Sequence, residues 1–235
     1  FSEIIDVEVK NNYNNLEKAF IEFINKTPPI GKSLICLDNL NIKKILKKLK
    51  TKNYLTYGFD KNSDYQIINT RYGLKNSIFD LKTKNNNRSI TLLKNINLNL
   101  IGKYNVQNAS AAISICLNLG ISLKIIKNAL QNFSGVQRRM TKIFTKGNIK
   151  FYDDYAHHPT EIRAVLSGIK KVSGSKKIIS VFQPHRYSRL KNLKKEFSKS
   201  FKNSDTVILC PVYAAGEKKD KNFNKYDFSK LIYKN

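Results

Sequence analysis

The sequence predicts an α/β protein, and three observations carry that prediction. Short apolar runs alternate with amphipathic, lysine-faced segments near both ends of the chain. A middle stretch alternates in extended fashion between polar turns. The three histidines fall just after short apolar runs, where strands of an open α/β sheet end, and five of the seven arginines lie in the same part of the chain.

In chain order, "NNLEKAFIEFINK" places Leu16, Ala19, Phe20, Phe23 and Ile24 at helical spacing. "SLICLD" reads as a buried strand, "NIKKILKKLK" as a helix with lysine on its solvent face, and "NYLTYGFD" as another strand. From 64 to 100, "YQIINTRYG", "SIFDLKT" and "SITLLKNINLNL" predict antiparallel strands separated by turns such as "KTKNNNR". Helices follow at 104–120 and 122–133, the second with Ser122 as N-cap. "SGVQRRM" reads as a connection, with a boundary near 135–140 that divides the chain into 1–136 and 137–235. Beyond it, "NIKFYDDY", "KKIISVFQ" and "DTVILCPVY" predict parallel strands. The helices "PTEIRAVLSGIKKV" and "LKNLKKEFSKSF" connect them, and a last helix starts near Asp227.

With 235 residues and 41% apolar side chains the chain can bury one large or two modest cores. A formal charge of +26 raises a nucleic-acid module as a rival reading, because clustered Lys and Arg neutralise phosphates. Such a module needs clustered basic residues interleaved with exposed aromatics, whereas 36 of the 43 basic residues are lysines spread along solvent faces. They read as compositional drift, so no nucleic acid is expected as partner. Cys36, Cys116 and Cys210 are separated and sit in apolar surroundings, which fits thiols in a reducing compartment. No apolar run reaches the roughly 18 residues of a membrane span, so a cytoplasmic location without membrane insertion is expected.

The chemistry gathers at predicted strand ends. Asp153, Asp154, Tyr155, His157 and His158 follow the first strand of the second half. Gln183, His185, Arg186 and Arg189 follow the next, and Tyr213 and Glu217 the last. Arg186 and Arg189 are three apart, so on a helical turn they can grip one carboxylate from the same side. His158 stands where it could cap the helix that starts at Pro159, or take part in chemistry. The adjacent histidines are not read as a zinc site, since their side chains diverge and no Cys or Asp stands at ligand spacing. In "GKYNVQNASAA", Asn105 and Asn108 are one helical turn apart, either as caps or as amides reading an adenine edge.

Taken together, "PPIGKSLICLD", "GKYNVQNASAA", "FSGVQRRM", "YDDYAHHPTEIRA", "FQPHRYSR" and "PVYAAGEK" resemble the Mur ligase family in order and separation. The resemblance implies the later part of a central ATPase domain followed by a Rossmann-like, mainly parallel C-terminal domain. It further implies ATP-dependent ligation of L-alanine to UDP-N-acetylmuramate through an acyl phosphate, with ATP and Mg2+ as cofactors. Asn105 and Asn108 would then lie near adenine, Arg139 at the ATP phosphates and Asp154 at the ribose. Tyr155, His157, His185, Arg186 and Arg189 would line the alanine pocket, with the two histidines catalytic and the arginines on the carboxylate. A sister enzyme that transfers a whole peptide is the alternative within the family. Departures are also visible. No Gly-rich loop ending in Gly-Lys-Thr occurs, Tyr104 stands where a histidine is common, and "DVEVKNNY" lacks the family's metal-binding histidine. The expectation is a piece or degenerate copy that lacks the N-terminal UDP-sugar domain and is inactive alone.

Overall fold

Two contact units organise the chain, one within Asn12–Ser134 and one within Gly135–Asn235. The computed structural model describes residues 13–73, 75–84, 90–221 and 223–233. Most of the Asn-rich turn read before Ile90 lies outside them, as does the side chain of Leu16.

In the first unit, α1 (Tyr13–Asn25) precedes β1 (Ser33–Cys36), α2 (Leu40–Leu46) and β2 (Tyr54–Gly58). An antiparallel meander follows, made of β3 (Tyr65–Tyr72), β4 (Ser77–Lys84) and β5 (Ile90–Leu98). β1, β2 and β3 are parallel neighbours, so one mixed sheet of order β1-β2-β3-β4-β5 joins both patterns. The period-2 burial of β4 shows why: Ser77, Phe79, Leu81 and Thr83 point inward while Ile78, Asp80 and Lys82 are partly exposed. Ile67, Phe79, Leu81 and Ile96 pack against Val106 and Ile113 of α3 (Lys103–Asn118) and Ile126 of α4 (Leu123–Asn132). Ile24, Ile35, Ile45 and Leu49 form a smaller cluster between α1, α2 and the parallel strands. Ser122 occupies the N-cap position of α4 but makes no side-chain cap bond.

The second unit departs from the expected topology at its start. The segment expected to lead the parallel sheet, β7 (Ile149–Asp153), pairs antiparallel with β6 (Thr141–Lys146) across the two-residue turn Gly147-Asn148. Phe144 and Phe151 stack across this hairpin at 4.1 Å, and most of its side chains stay exposed. The parallel pair is β8 (Ile179–Phe182) with β9 (Thr206–Leu209), prolonged by a parallel bridge from His185 to Tyr213.

α5 (Pro159–Ser173) connects the hairpin to β8, and α8 (Lys225–Tyr233) is the last described helix. The single helix expected at 190–201 starts earlier and is broken, as α6 (Tyr187–Asn192) and α7 (Lys194–Ser198). Leu193 leaves helical geometry between them, and the bend delivers Leu190, Leu193, Phe197 and Phe201 to one core with Ile162, Leu166, Phe182 and Phe228.

Candidate active site

Pro159 at the first helical position and Glu161 at the third start α5 as the sequence suggests. His158 is the N-cap, its Nδ1 accepting from the Thr160 amide at 3.3 Å, so the capping role is present. The Glu161 carboxylate accepts from the His157 and His158 amides at 3.0 and 3.1 Å. Arg139 Nη1 approaches the same carboxylate at 3.8 Å. The turn before α5 is therefore fixed from behind, and His157 is presented beyond it.

Asp154 closes the turn from the other side. Its two oxygens accept from the amides of Met140 and Ala156 at 2.9 and 2.8 Å. Burial pushes its carboxyl above the usual aspartate range, against the opposing pull of those bonds and of Arg139. Arg138 lies over the Tyr155 ring at 4.4 Å and pairs with Asp153 at 3.9 Å.

From Tyr155 a row of rings crosses the site. Tyr155 meets His157 edge-on at 4.9 Å, His157 stands 5.8 Å from His185, and His185 lies 5.4 Å from Tyr213. Thus the hairpin end, although outside the parallel sheet, still brings its histidine to the ends of β8 and β9. The predicted convergence holds while its expected cause, one continuous parallel sheet, does not.

Hydrogen bonding distinguishes the two histidines. His157 Nδ1 lies 2.9 Å from the Tyr155 carbonyl, which can only accept, so Nδ1 carries the proton and the neutral ring's acceptor is Nε2. His185 Nδ1 lies 3.1 Å from Arg189 Nη1, which can only donate, so the neutral His185 ring keeps its proton on Nε2. The pair is set in opposite tautomers, one ring able to take a proton at Nε2 and the other to donate from Nε2.

Arg189 is buried at 5% exposure with its guanidinium on His185, while Arg186 is partly exposed at the N-cap of α6. The two expected clamp residues therefore differ in setting: one guanidinium is buried against a histidine and the other stands nearer the surface. In the first unit Asn105 is buried and donates through Nδ2 to the Ile101 carbonyl at 2.8 Å. Asn108, a turn later, is exposed.

Sequence reasoning passed over Ser188 and treated Glu161 only as a helix-start residue. Glu161 had a signal, the three-residue offset from the cap. Ser188 had none, since its partner Glu217 is distant in sequence. Gln107 was also missed. It donates to Asp38 at 2.5 Å, and Asp38 accepts further from the Phe59 and Asp60 amides.

Histidine, arginine and carboxylate side chains thus gather beyond the ends of parallel strands in an α/β protein, the place where open α/β sheets bind their ligands. The model of the Mur ligase middle domain matches residues 7–116, and that of the Mur ligase, glutamate ligase domain matches 138–231. The chain belongs to the Mur ligase family. It is 50% identical over 225 residues to the UDP-N-acetylmuramate--L-alanine ligase of Pelagibacter ubique, covering 96% of this chain and 48% of that protein. Among solved structures, the UDP-N-acetylmuramate-alanine ligase of Thermotoga maritima superposes with a TM-score of 0.62 at 26% identity, over 83% of this chain and 44% of that one. A murein peptide ligase from Psychrobacter arcticus gives 0.59 at 26% identity, over 83% and 40%. The chain spans about half the length of the curated relatives it matches.

Proposed function

We propose that this chain supplies the middle and C-terminal parts of a ligase that uses ATP to join L-alanine to UDP-N-acetylmuramate. The observation that carries the reading is the pair His157 and His185, held in opposite tautomers beside two arginines, in a chain half identical to a protein of that name. In this reading the γ-phosphoryl group of ATP passes to the muramate carboxylate, releasing ADP. The alanine amine then attacks the acyl carbon, forming the amide and expelling phosphate. The amine must lose protons to become and remain a nucleophile, and His157 Nε2 is the acceptor for one. His185, kept by Arg189 with its proton on Nε2, donates a hydrogen bond to an anionic oxygen of the substrate. Arg186 binds the alanine carboxylate, and Tyr155 walls the pocket.

For ATP, the exposed Asn108 and the half-exposed Arg139 suit an adenine edge and a phosphate respectively. Asn105 and Asp154 fit a supporting role better. The Asn105 amide nitrogen is engaged with Ile101, and each Asp154 oxygen with a backbone amide, although an Asp154 lone pair remains for a ribose hydroxyl. Mg2+ would neutralise the ATP phosphates. Among the described residues no three His, Cys, Asp or Glu side chains stand together as a metal cluster, so none is assigned to it. No described helix is long and apolar enough to cross a membrane. In this reading the enzyme meets its water-soluble substrates in the cytoplasm. The relatives named above lend the nucleic-acid reading no support.

The test is phosphate release by the gene product carrying this chain, with ATP, Mg2+ and UDP-N-acetylmuramate, comparing L-alanine with the murein tripeptide. Release that depends on alanine is expected. Release only with the tripeptide would move the assignment to the peptide-ligase branch, and release with neither would overturn the ligase reading.

A further inference from the structure

Arg186 has a backbone that should not hold itself. Its φ is +68°, in the left-handed region that side chains with a Cβ avoid at a cost on the order of 1 to 2 kcal/mol. A residue stays there only where its surroundings over-determine it. Two restraints come from the bridge between strand ends: the Arg186 amide donates to the Tyr213 carbonyl at 2.9 Å, and the Tyr213 amide to the Pro184 carbonyl at 2.8 Å. Both act on the N-terminal side of the kink.

On the other side the Arg186 carbonyl accepts the Leu190 amide at 3.3 Å, and Glu217 adds a side-chain restraint. One carboxylate oxygen accepts from the Ser188 amide at 3.1 Å and the other from the Ser188 hydroxyl. Ser188 is in the first turn of α6, two residues past Arg186, so the kink is pinned before and after. The chain reaches this geometry by a sharp turn after β9, where Ala215 and Gly216 both take positive φ, at 51° and 87°. Glu217 is thereby turned back toward α6.

We propose that Glu217 is the positioning residue of the amino-acid pocket: by clamping Ser188 it holds the first turn of α6 and so sets the direction of Arg186. This rests on the ligase reading above. A carboxylate is the suitable group because its two oxygens accept from the amide and the hydroxyl at once, whereas a side-chain amide has one accepting oxygen. Its charge is also favoured by that of Arg186. Burial raises the Glu217 carboxyl, but the Ser188 bonds, the Tyr187 amide and the Arg186 charge outweigh it, so the group lies below the usual glutamate range and stays ionised. Glu217 does not itself touch substrate in this assignment.

The experiment is steady-state kinetics of the gene product carrying this chain, comparing wild type with Glu217→Gln, Ser188→Ala and the double variant. Glu217→Gln should raise the KM for L-alanine about tenfold, the scale of one weakened hydrogen bond to a charged group. The KM for ATP should stay within about twofold, and kcat at saturating alanine should be largely kept. Ser188→Ala should raise the alanine KM less, and the double variant should be no worse than Glu217→Gln, because both remove one clamp. An unchanged alanine KM in both single variants would overturn the assignment. So would a parallel rise of both KM values with a lower thermal midpoint, the signature of a general folding role. If Glu217→Gln does not fold, Ser188→Ala decides alone. A wild type inert with alanine would instead overturn the ligase reading and this assignment with it, whereas an active wild type with unaffected variants overturns the assignment only.

Discussion

At the residue scale, Asp154 sets burial against hydrogen bonding. Both of its oxygens accept backbone amides, which favours the ionised form, yet burial prevails and the carboxyl lies above its ordinary 3.8. A raised folded value means that the native chain takes up this proton at a higher pH than the unfolded chain does. Between the two values the native state holds more protons, and the Asp154 contribution to stability falls as pH rises through that window. The wild type should therefore gain on Asp154→Asn as pH is lowered through the folded value, and the gain should level off below the unfolded one. Urea titrations of both proteins across that range test this. A difference that grows toward neutral pH would mean that the two amide bonds outweigh burial. Sequence spacing made Asp154 a candidate, and its Ala156 donor is a local contact two residues on, but its Met140 donor was not legible. That bond depends on the turn at Arg138 and Met140, both with positive φ, and no residue preference announces an arginine or a methionine there.

At the element scale, β8 separates core from surface within two adjacent residues. Phe182 points into the cluster with Leu190, Phe197 and Phe201 and is 6% exposed, whereas its neighbour Val181 is 68% exposed on the opposite face. Phe182→Ala should cost about 3 to 5 kcal/mol by lost transfer energy and the cavity it leaves. Val181→Ala should cost under about 1 kcal/mol, through strand propensity alone. Denaturant unfolding of the two variants measures both, and equal losses would mean that the outer face is covered in solution. The helix starting at Pro159 was readable because its signals are local: a cap, a proline at the first position and a glutamate at the third. The hairpin β6–β7 was not, because "NIKFYDD" looks the same whether its partner is parallel or antiparallel. The choice fell to the two-residue turn Gly147-Asn148, which brings Thr141–Lys146 alongside at small loop-closure cost. The mixed sheet of the first unit was half legible for the same reason: alternation identified its strands, while the parallel joining of β2 to β3 had no local sign.

At the scale of the whole molecule, both units are stabilised by apolar clusters of their own, and the ion pairs formed among the described residues are few beside the charge the chain carries. Forty-three basic residues face seventeen acidic ones, so most lysines have no acidic partner to meet and repel one another across the surface. Several of the pairs that do form, such as Lys48 with Glu17 and Lys170 with Asp205, are at least partly in solvent and contribute little. Added salt therefore screens more repulsion than attraction, because the Debye length falls from about 30 Å at 0.01 M to about 8 Å at 0.15 M. Raising NaCl across that range should stabilise the chain by about 1 kcal/mol, a rise of about 2 to 4 °C in Tm for a chain of this size. Differential scanning calorimetry at fixed pH measures it. A fall in Tm would show that the ion pairs outweigh the net charge, and would mean that the lysines are placed for specific attraction and are not the product of compositional drift.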